Sequence, residues 1–260
     1  MNFWKTLATL ASYFSTLPWI PGWGLLKRAD CIFAQAFGRN HFTDNELGRV
    51  LWRLRSQTRL DEYQTLLLLN QQGFDPGARN RALARFIRLV HSKRGVPIIA
   101  QWEVVCALFQ HDPAWYLEHR AQIDCVWPPV EGYFATYHVK LLSQERMAAR
   151  GCRSPLEVAH PAMVSRAVLT IWKTGVRPVV LPVSPLKFWQ HELWVWDKNS
   201  VQPWTRSFLH WWKREAIGRV GLLVAHVLPF IPFRELAPKR LRQLIPGNWI
   251  RFTPPRRGVK

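Results

Sequence analysis

Short apolar runs recur along this chain, separated by segments with helical spacing, and this alternation constrains the fold more than any other feature. Asp30 to Phe37 is dominated by apolar residues and ends at Gly38-Arg39-Asn40. Tyr63 to Leu69 carries four consecutive leucines bounded by polar Asn70-Gln71-Gln72-Gly73. Val96 to Ala100, Leu156 to His160 and Val176 to Val183 are further runs of the same kind. At this length, bounded by turn residues, such runs predict strands buried on both faces, as in parallel sheets.

The intervening segments predict helices. Thr43 or Asp44 can cap one through Arg55, with Leu47, Val50, Leu51 and Leu54 on one face. Asp75-Pro76-Gly77 introduces a basic helix to Lys93, with Leu83, Phe86, Ile87 and Val90 inward and Arg79, Arg81, Arg85 and Arg88 largely outward. Helices follow over Trp102 to Gln110, Thr136 to Arg150, Ala162 to Lys173 behind Pro161, and Thr205 to Leu228. His111 to Gly132, with Pro113, Pro128 and Pro129, reads as a long connection. Strand and helix alternate at least four times. That order predicts an α/β, three-layer Rossmann-like domain with a mostly parallel sheet and helices on both faces, joined by right-handed crossovers. The expected organisation is an N-terminal apolar extension over 1–27, the α/β domain over 28–228 and a basic, proline-rich tail over 229–260.

A hydrophobic share of 48% in 260 residues supplies a buried core, and a charged share of 20% is too low for a disordered polyelectrolyte. The four cysteines, Cys31, Cys106, Cys125 and Cys152, form no C-x-x-C pair, so neither a disulfide framework nor a zinc knuckle is suggested. Reduced, mostly buried thiols in a cytosolic protein fit this pattern.

The net charge is +19, and Thr205 to Lys260 holds twelve basic residues against Glu215 and Glu235. Such a field attracts anions, whether nucleic acid phosphates, lipid headgroups or an acidic small molecule, and charge alone does not choose among them. Thr6 to Leu26 is a charge-free stretch between Lys5 and Lys27-Arg28. Pro18 and Pro21 break it, and a helix from Asn2 to Leu17, at about 1.5 Å per residue, falls short of a ~30 Å hydrocarbon core. Phe3, Trp4, Phe14, Trp19 and Trp23 suit a helix lying in the headgroup region, or one packed on the domain. The expectation is a cytoplasmic protein, peripheral at the inner face of a membrane.

Open parallel sheets place ligands at the carboxyl ends of their strands, where helix N-termini favour anions. Two crossings are legible, Gln35 to Asn40 and Val158 to Arg166. Gly38 would let the backbone approach a ligand closely. Arg39 and Arg166 would meet a phosphate or carboxylate, or else serve as turn and helix-surface residues. His138 and His160 with Glu131 or Glu157 lack the tight spacing of a metal site, and Ser143, Ser154 and Ser165 lack the surround of a nucleophile elbow. Trp189, Trp194, Trp196, Trp204, Trp211 and Trp212 crowd a passage where Trp194 and Trp196 alternate as on a strand. These rings either stack nucleobases or lipids beside Lys187, Lys198 and Arg206, or close one edge of the core. No recognised nucleic-acid motif accompanies them.

In its order of features the chain resembles the YdcF-like domain family, which includes the SanA and ElyC type of envelope proteins. Arg28-Ala29-Asp30-Cys31-Ile32 through Gly38 answers to the family's Ala-Asp strand and glycine turn. Gly95-Val96-Pro97 matches a Gly-Val-Pro step before an acidic residue, here Glu103 or Glu131, and Thr136 leads the next helix. Val158-Ala159-His160 with Arg166-Ala167, Gly175-Val176 and Arg214-Glu215 complete the series, which spans Arg28 to Leu223. The family's histidine before the Arg-Ala pair is replaced by Met163, and its asparagine after the threonine by Val139. The resemblance implies a Rossmann-like sheet with a pocket at its carboxyl edge, lined by Gly38, Arg39, Asn40, Glu103, Glu131, Thr136, His160 and Arg166. It also implies a small anionic or nucleotide-like ligand, S-adenosylmethionine included.

Two weak anchors, the N-terminal aromatics and the basic tail, predict membrane binding with a salt signature. Sedimentation with anionic liposomes is expected to be strong at low salt, weaker at high salt, and weaker again after deletion of Met1 to Gly24. A protein that stays in the supernatant at low salt contradicts this expectation.

Overall fold

The chain divides into two compact units, Met1–Trp212 and Lys213–Lys260. A computed structural model describes residues 26–40, 50, 60–127, 136–164, 167, 179 and 194–216. Among the described residues the first unit holds a four-stranded, parallel sheet in the order β3-β2-β1-β4, built from β1 (Cys31–Ala34), β2 (Ile98–Gln101), β3 (Ile123–Val126) and β4 (Pro155–Val158). The helices are α1 (Glu62–Gln71), α2 (Ala78–Arg94), α3 (Trp102–His111), α4 (Pro113–His119) and α5 (Thr136–Ala149).

Strand β1 lies between β2 and β4, with Ile32 opposite Ile98 on one side and Leu156 on the other. Every residue of β1, β2 and β4 is buried. Successive side chains leave opposite faces of a strand, and the core divides accordingly. Ile32, Ala34, Ile98, Ala100, Leu156 and Val158 pack with Leu66, Leu83, Ile87, Val105, Leu108 and Tyr116 from α1 to α4. Cys31, Phe33, Ile99 and Val126 pack on the other face with Val139 and Met147 of α5. Helices therefore cover both faces, giving the three layers that the strand and helix order predicts.

Three readings of the sequence are corrected. Tyr63 to Leu69 is not a strand but the middle of α1. Asp61 and Gln64 form a capping box, Asp61 accepting from the Gln64 amide at 2.7 Å and Gln64 from the Asp61 amide at 3.1 Å. The helix then buries Thr65, Leu66 and Leu69 on one stripe. The local cap outweighed the apolar run. His111 to Gly132 is not a bare connection, for it holds α4 and β3. Asp112 caps α4 by accepting from the Trp115 amide at 3.0 Å, and Pro113 sits where a helix has no amide partner to lose. Finally, Arg79 does not face outward. It is buried at the first turn of α2.

The helix expected over Thr43 to Arg55 lies outside the described residues except at Val50, and the strand expected over Val176 to Val183 except at Val179. Val179 forms a parallel bridge to Leu156 beyond β4. The helix expected behind Pro161 is described at 161–164 and 167. Pro203–Thr205 is a 3-10 turn, with an α-helix beginning at residue 208. Among the described residues no helix is long and apolar enough to cross a membrane. The N-terminal stretch to residue 25 lies outside them.

The capping box predicts that Asp61→Ala lowers stability by about 1 kcal/mol, since it orphans an amide at the start of α1. Urea denaturation measures this as a lower midpoint with an unchanged slope.

Candidate functional site

Buried polar side chains gather where β1, β2 and β4 end. On the α5 face, Gln35 follows β1 and donates through Nε2 to Glu157 Oε1. Lys140 of α5 donates to Glu157 Oε2 at 2.5 Å, and its ammonium lies 4.1 Å from the centroid of the Phe33 ring. Both side chains of the ion pair are wholly inaccessible to water. Burial pulls Lys140 down to about 8 and pushes Glu157 up, while their mutual attraction opposes both shifts. Desolvation of the two charges is the larger effect. Gln101, at the end of β2, accepts from the Ala36 amide at 3.1 Å and anchors the departing chain.

The chain leaving β1 then turns through Gly38, whose φ of 76° belongs to the left-handed region. A Cβ at this position would stand 2.5 Å from Thr205 Oγ1, 2.7 Å from Ser200 Oγ and 2.9 Å from Arg79 Nη1. Glycine is required here by packing as well as by conformation. Around the turn, Asn80 accepts from the Phe37 amide at 3.1 Å and donates to the carbonyls of Gly38 at 2.6 Å and Pro76 at 2.7 Å. Arg79 donates to the Phe37 carbonyl at 3.1 Å and the Asp197 carbonyl at 3.0 Å, with its guanidinium 5.2 Å from the Phe37 ring. Burial lowers Arg79 to about 10, against the opposing pull of Asp197. Asp197 itself accepts from the Ala78 amide at 3.0 Å, from Asn40 at 2.9 Å and from the Asn199 amide at 3.1 Å. Burial pushes its carboxyl up, but these hydrogen bonds outweigh burial and hold it below the ordinary range.

Of the residues expected to form the site, five are described with their side chains. Arg39 is buried and donates to Glu103 Oε1 at 3.3 Å, beside the Trp102 ring. Asn40 bridges Asp75 and Asp197 at 3.0 and 2.9 Å. Glu103 lies in the first turn of α3 and is buried. Gly38 is the turn itself. His160 stacks on Phe37 with ring centroids 4.2 Å apart, its Nδ1 3.3 Å from the Ala162 amide and its Nε2 3.2 Å from the Val195 carbonyl. A neutral ring carrying its proton on Nε2 satisfies both contacts. Thr136 begins α5, while its side chain, Glu131 and Arg166 lie outside the described residues. Met163 is buried with Phe37, Ala159 and Trp211, and Val139 with Phe33 and Met147.

In the aromatic passage Trp211 is buried with Trp194 and Trp196 packed against its cluster, Trp212 is exposed, and Trp189 lies outside the described residues. Trp194 and Trp196 surround His160, and Trp196 continues to Trp211 at 6.4 Å. Residues 194–197 carry no strand ladder, which corrects the reading of Trp194 and Trp196 as alternating strand positions.

Sequence reasoning missed Gln35, Lys140, Arg79 and Asp197, and met Glu157 only as a metal ligand. Two signals were available. Lys140 falls on the same inward stripe of α5 as Ser143 and Met147, and Glu157 interrupts an apolar run. An ionisable residue in such a position needs a buried partner.

No family model matches this chain, and no curated protein or solved structure matches it.

The Lys140–Glu157 pair generates a stability test. Lys140→Met alone is expected to cost about 3 to 5 kcal/mol, whereas Lys140→Met with Glu157→Leu recovers most of the loss because no charge is left buried alone. Relative to that double variant, the pair's contribution falls as pH rises from 4.5, the ordinary glutamate value, through the raised value of Glu157. It rises again between about 8 and 10.5, where folded Lys140 is neutral and the unfolded lysine is still charged. Denaturation across pH should show the fall on the acid side and the rise on the alkaline side.

Proposed function

We propose that this chain is a divergent YdcF-like α/β protein that binds a small anionic or nucleotide-like ligand, such as S-adenosylmethionine, over the carboxyl ends of β1, β2 and β4. One observation supports the reading above the others: Arg39 and Arg79, two buried cations, stand beside the chain that leaves β1 at that edge, with Lys140 buried on the α5 face of the same strand. A buried charge is expensive to keep, and an apolar side chain of similar volume is often as stable or more so. Cations kept at the edge where parallel sheets bind their ligands serve recognition better than stability.

Arg39 is the residue through which the ligand is read. Its guanidinium offers a planar fork of donors suited to phosphate or carboxylate, and Glu103 occupies part of that fork. A ligand anion exchanges with Glu103 at that fork. Gly38 forms the turn that leads into Arg39, and the stacked Phe37 and His160 rings beside that turn are buried.

Calorimetry with S-adenosylmethionine, adenosine nucleotides and inorganic phosphate tests the proposal. At least one adenosine-containing ligand is expected to bind, with affinity reduced about tenfold or more in Arg39→Ala, the equivalent of about 1.4 kcal/mol. No binding across the panel by the folded protein overturns the proposal. So does binding undiminished in the double variant Arg39→Ala, Arg166→Ala.

A further inference from the structure

At the opposite edge of the sheet, where β1 and β4 begin, three side chains able to hold a metal ion converge. Asp30 precedes β1, Cys31 is its first residue, and Cys152 lies in the turn that carries the chain from α5 into β4. The two sulfurs and a carboxylate oxygen all lie within 4.8 Å of one another, and among the described residues this is the one such convergence of three ligands. A tetrahedral ion with Zn–S bonds of about 2.3 Å places two sulfurs about 3.8 Å apart. Contraction by about 1 Å at most between the sulfurs, and slightly more toward the carboxylate oxygen, therefore closes the three groups on an ion.

The surrounding backbone is already set for this. Asp30 Oδ2 accepts from the Arg153 amide at 2.6 Å, and both of its oxygens accept from the Ser154 amide at 2.9 Å. These bonds fix the carboxylate's direction and leave each oxygen further lone pairs. The Asp30 amide donates to the Ser154 carbonyl at 3.2 Å, and the Cys152 amide to the Met147 carbonyl at 2.8 Å. The Cys31 sulfur lies within 4.8 Å of the Cys152 sulfur and of an Asp30 carboxylate oxygen. The two thiol protons are those a metal ion displaces. Access runs from the solvent side, where Asp30 is partly exposed, while Cys31 closes the site from the core.

We propose that Asp30, Cys31 and Cys152 bind a thiophilic divalent cation of the zinc class, with water in the fourth position. Cys31 and Cys152 each release a thiol proton to solvent as the sulfur–metal bonds form, and no electron is transferred. The resulting complex carries one negative charge. The ion ties the start of β1 to the turn before β4. Its role is structural, and it stands apart from the carboxyl edge.

The full chain, reduced with a phosphine and freed of metal, is titrated with Co2+ alone. A thiolate-to-cobalt charge-transfer band saturating at one equivalent is expected, with displacement by one equivalent of Zn2+ and a higher melting temperature with either ion. The band disappears in Cys152→Ser and persists in Cys106→Ala. Asp30→Asn, which keeps the shape of the turn, weakens binding by roughly 10- to 100-fold. The proposal is overturned by absence of the band in the wild-type chain, or by its survival in Cys152→Ser. It is also overturned if Cys31 and Cys152 are recovered as a disulfide that takes up no metal.

Discussion

Strand β1 has a parallel neighbour on each edge and helices against each face, so water reaches none of its four residues. Everything that leaves its ends must be satisfied by protein. A backbone amide or carbonyl stripped of water and left unpaired costs as much as the hydrogen bond it has lost. The chain from Gln35 to Asn40 meets that demand with partners drawn from distant segments: Gln101 for the Ala36 amide, Asn80 for the Phe37 amide and the Gly38 carbonyl, Ser200 and Val201 for the Arg39 carbonyl. The polar character of the carboxyl edge begins as a consequence of this central burial.

Charge enters the same edge on different terms. Lys140 and Glu157 face each other across the α5 side of the sheet, and each is displaced from its ordinary behaviour chiefly by loss of water. Arg39 meets Glu103 on the way into α3, whereas the hydrogen bonds given for Arg79 run to carbonyl oxygens, with Asp197 acting on it at longer range. These groups belong to separate stretches of chain and are held by one constraint. Asp197 illustrates it: one carboxylate receives the first amide of α2, the Asn40 side chain and its own turn, and so couples the 197–205 segment to the start of a helix more than a hundred residues earlier.

The two ends of the sheet differ in chemistry. The carboxyl end gathers buried cations and amides, each cation set near a carboxylate: Glu103 for Arg39, Asp197 for Arg79 and Glu157 for Lys140. At the amino end, sulfur and a carboxylate converge at Asp30, Cys31 and Cys152, a set suited to a cation. Both proposals follow from that polarity, and because they occupy opposite ends of the strands they stand or fall separately.

The alternation of short apolar runs with amphipathic segments was enough to establish a parallel sheet covered on both faces, because strands buried on both sides cannot show a polar period. Gly38 and the strand at Cys31 were legible for local reasons: conformation and apolar run length. The Leu66 to Leu69 run was misread because run length was weighed above the Asp61 and Gln64 cap, and β3 was missed because prolines were taken only as breakers. What tertiary structure alone decided is partnership. Nothing near Lys140 in the chain names Glu157, and nothing near Arg79 names Asp197. A buried charge is stabilised by whatever the fold sets within about 3 Å of it, and that distance is fixed by packing between segments that the linear order keeps apart.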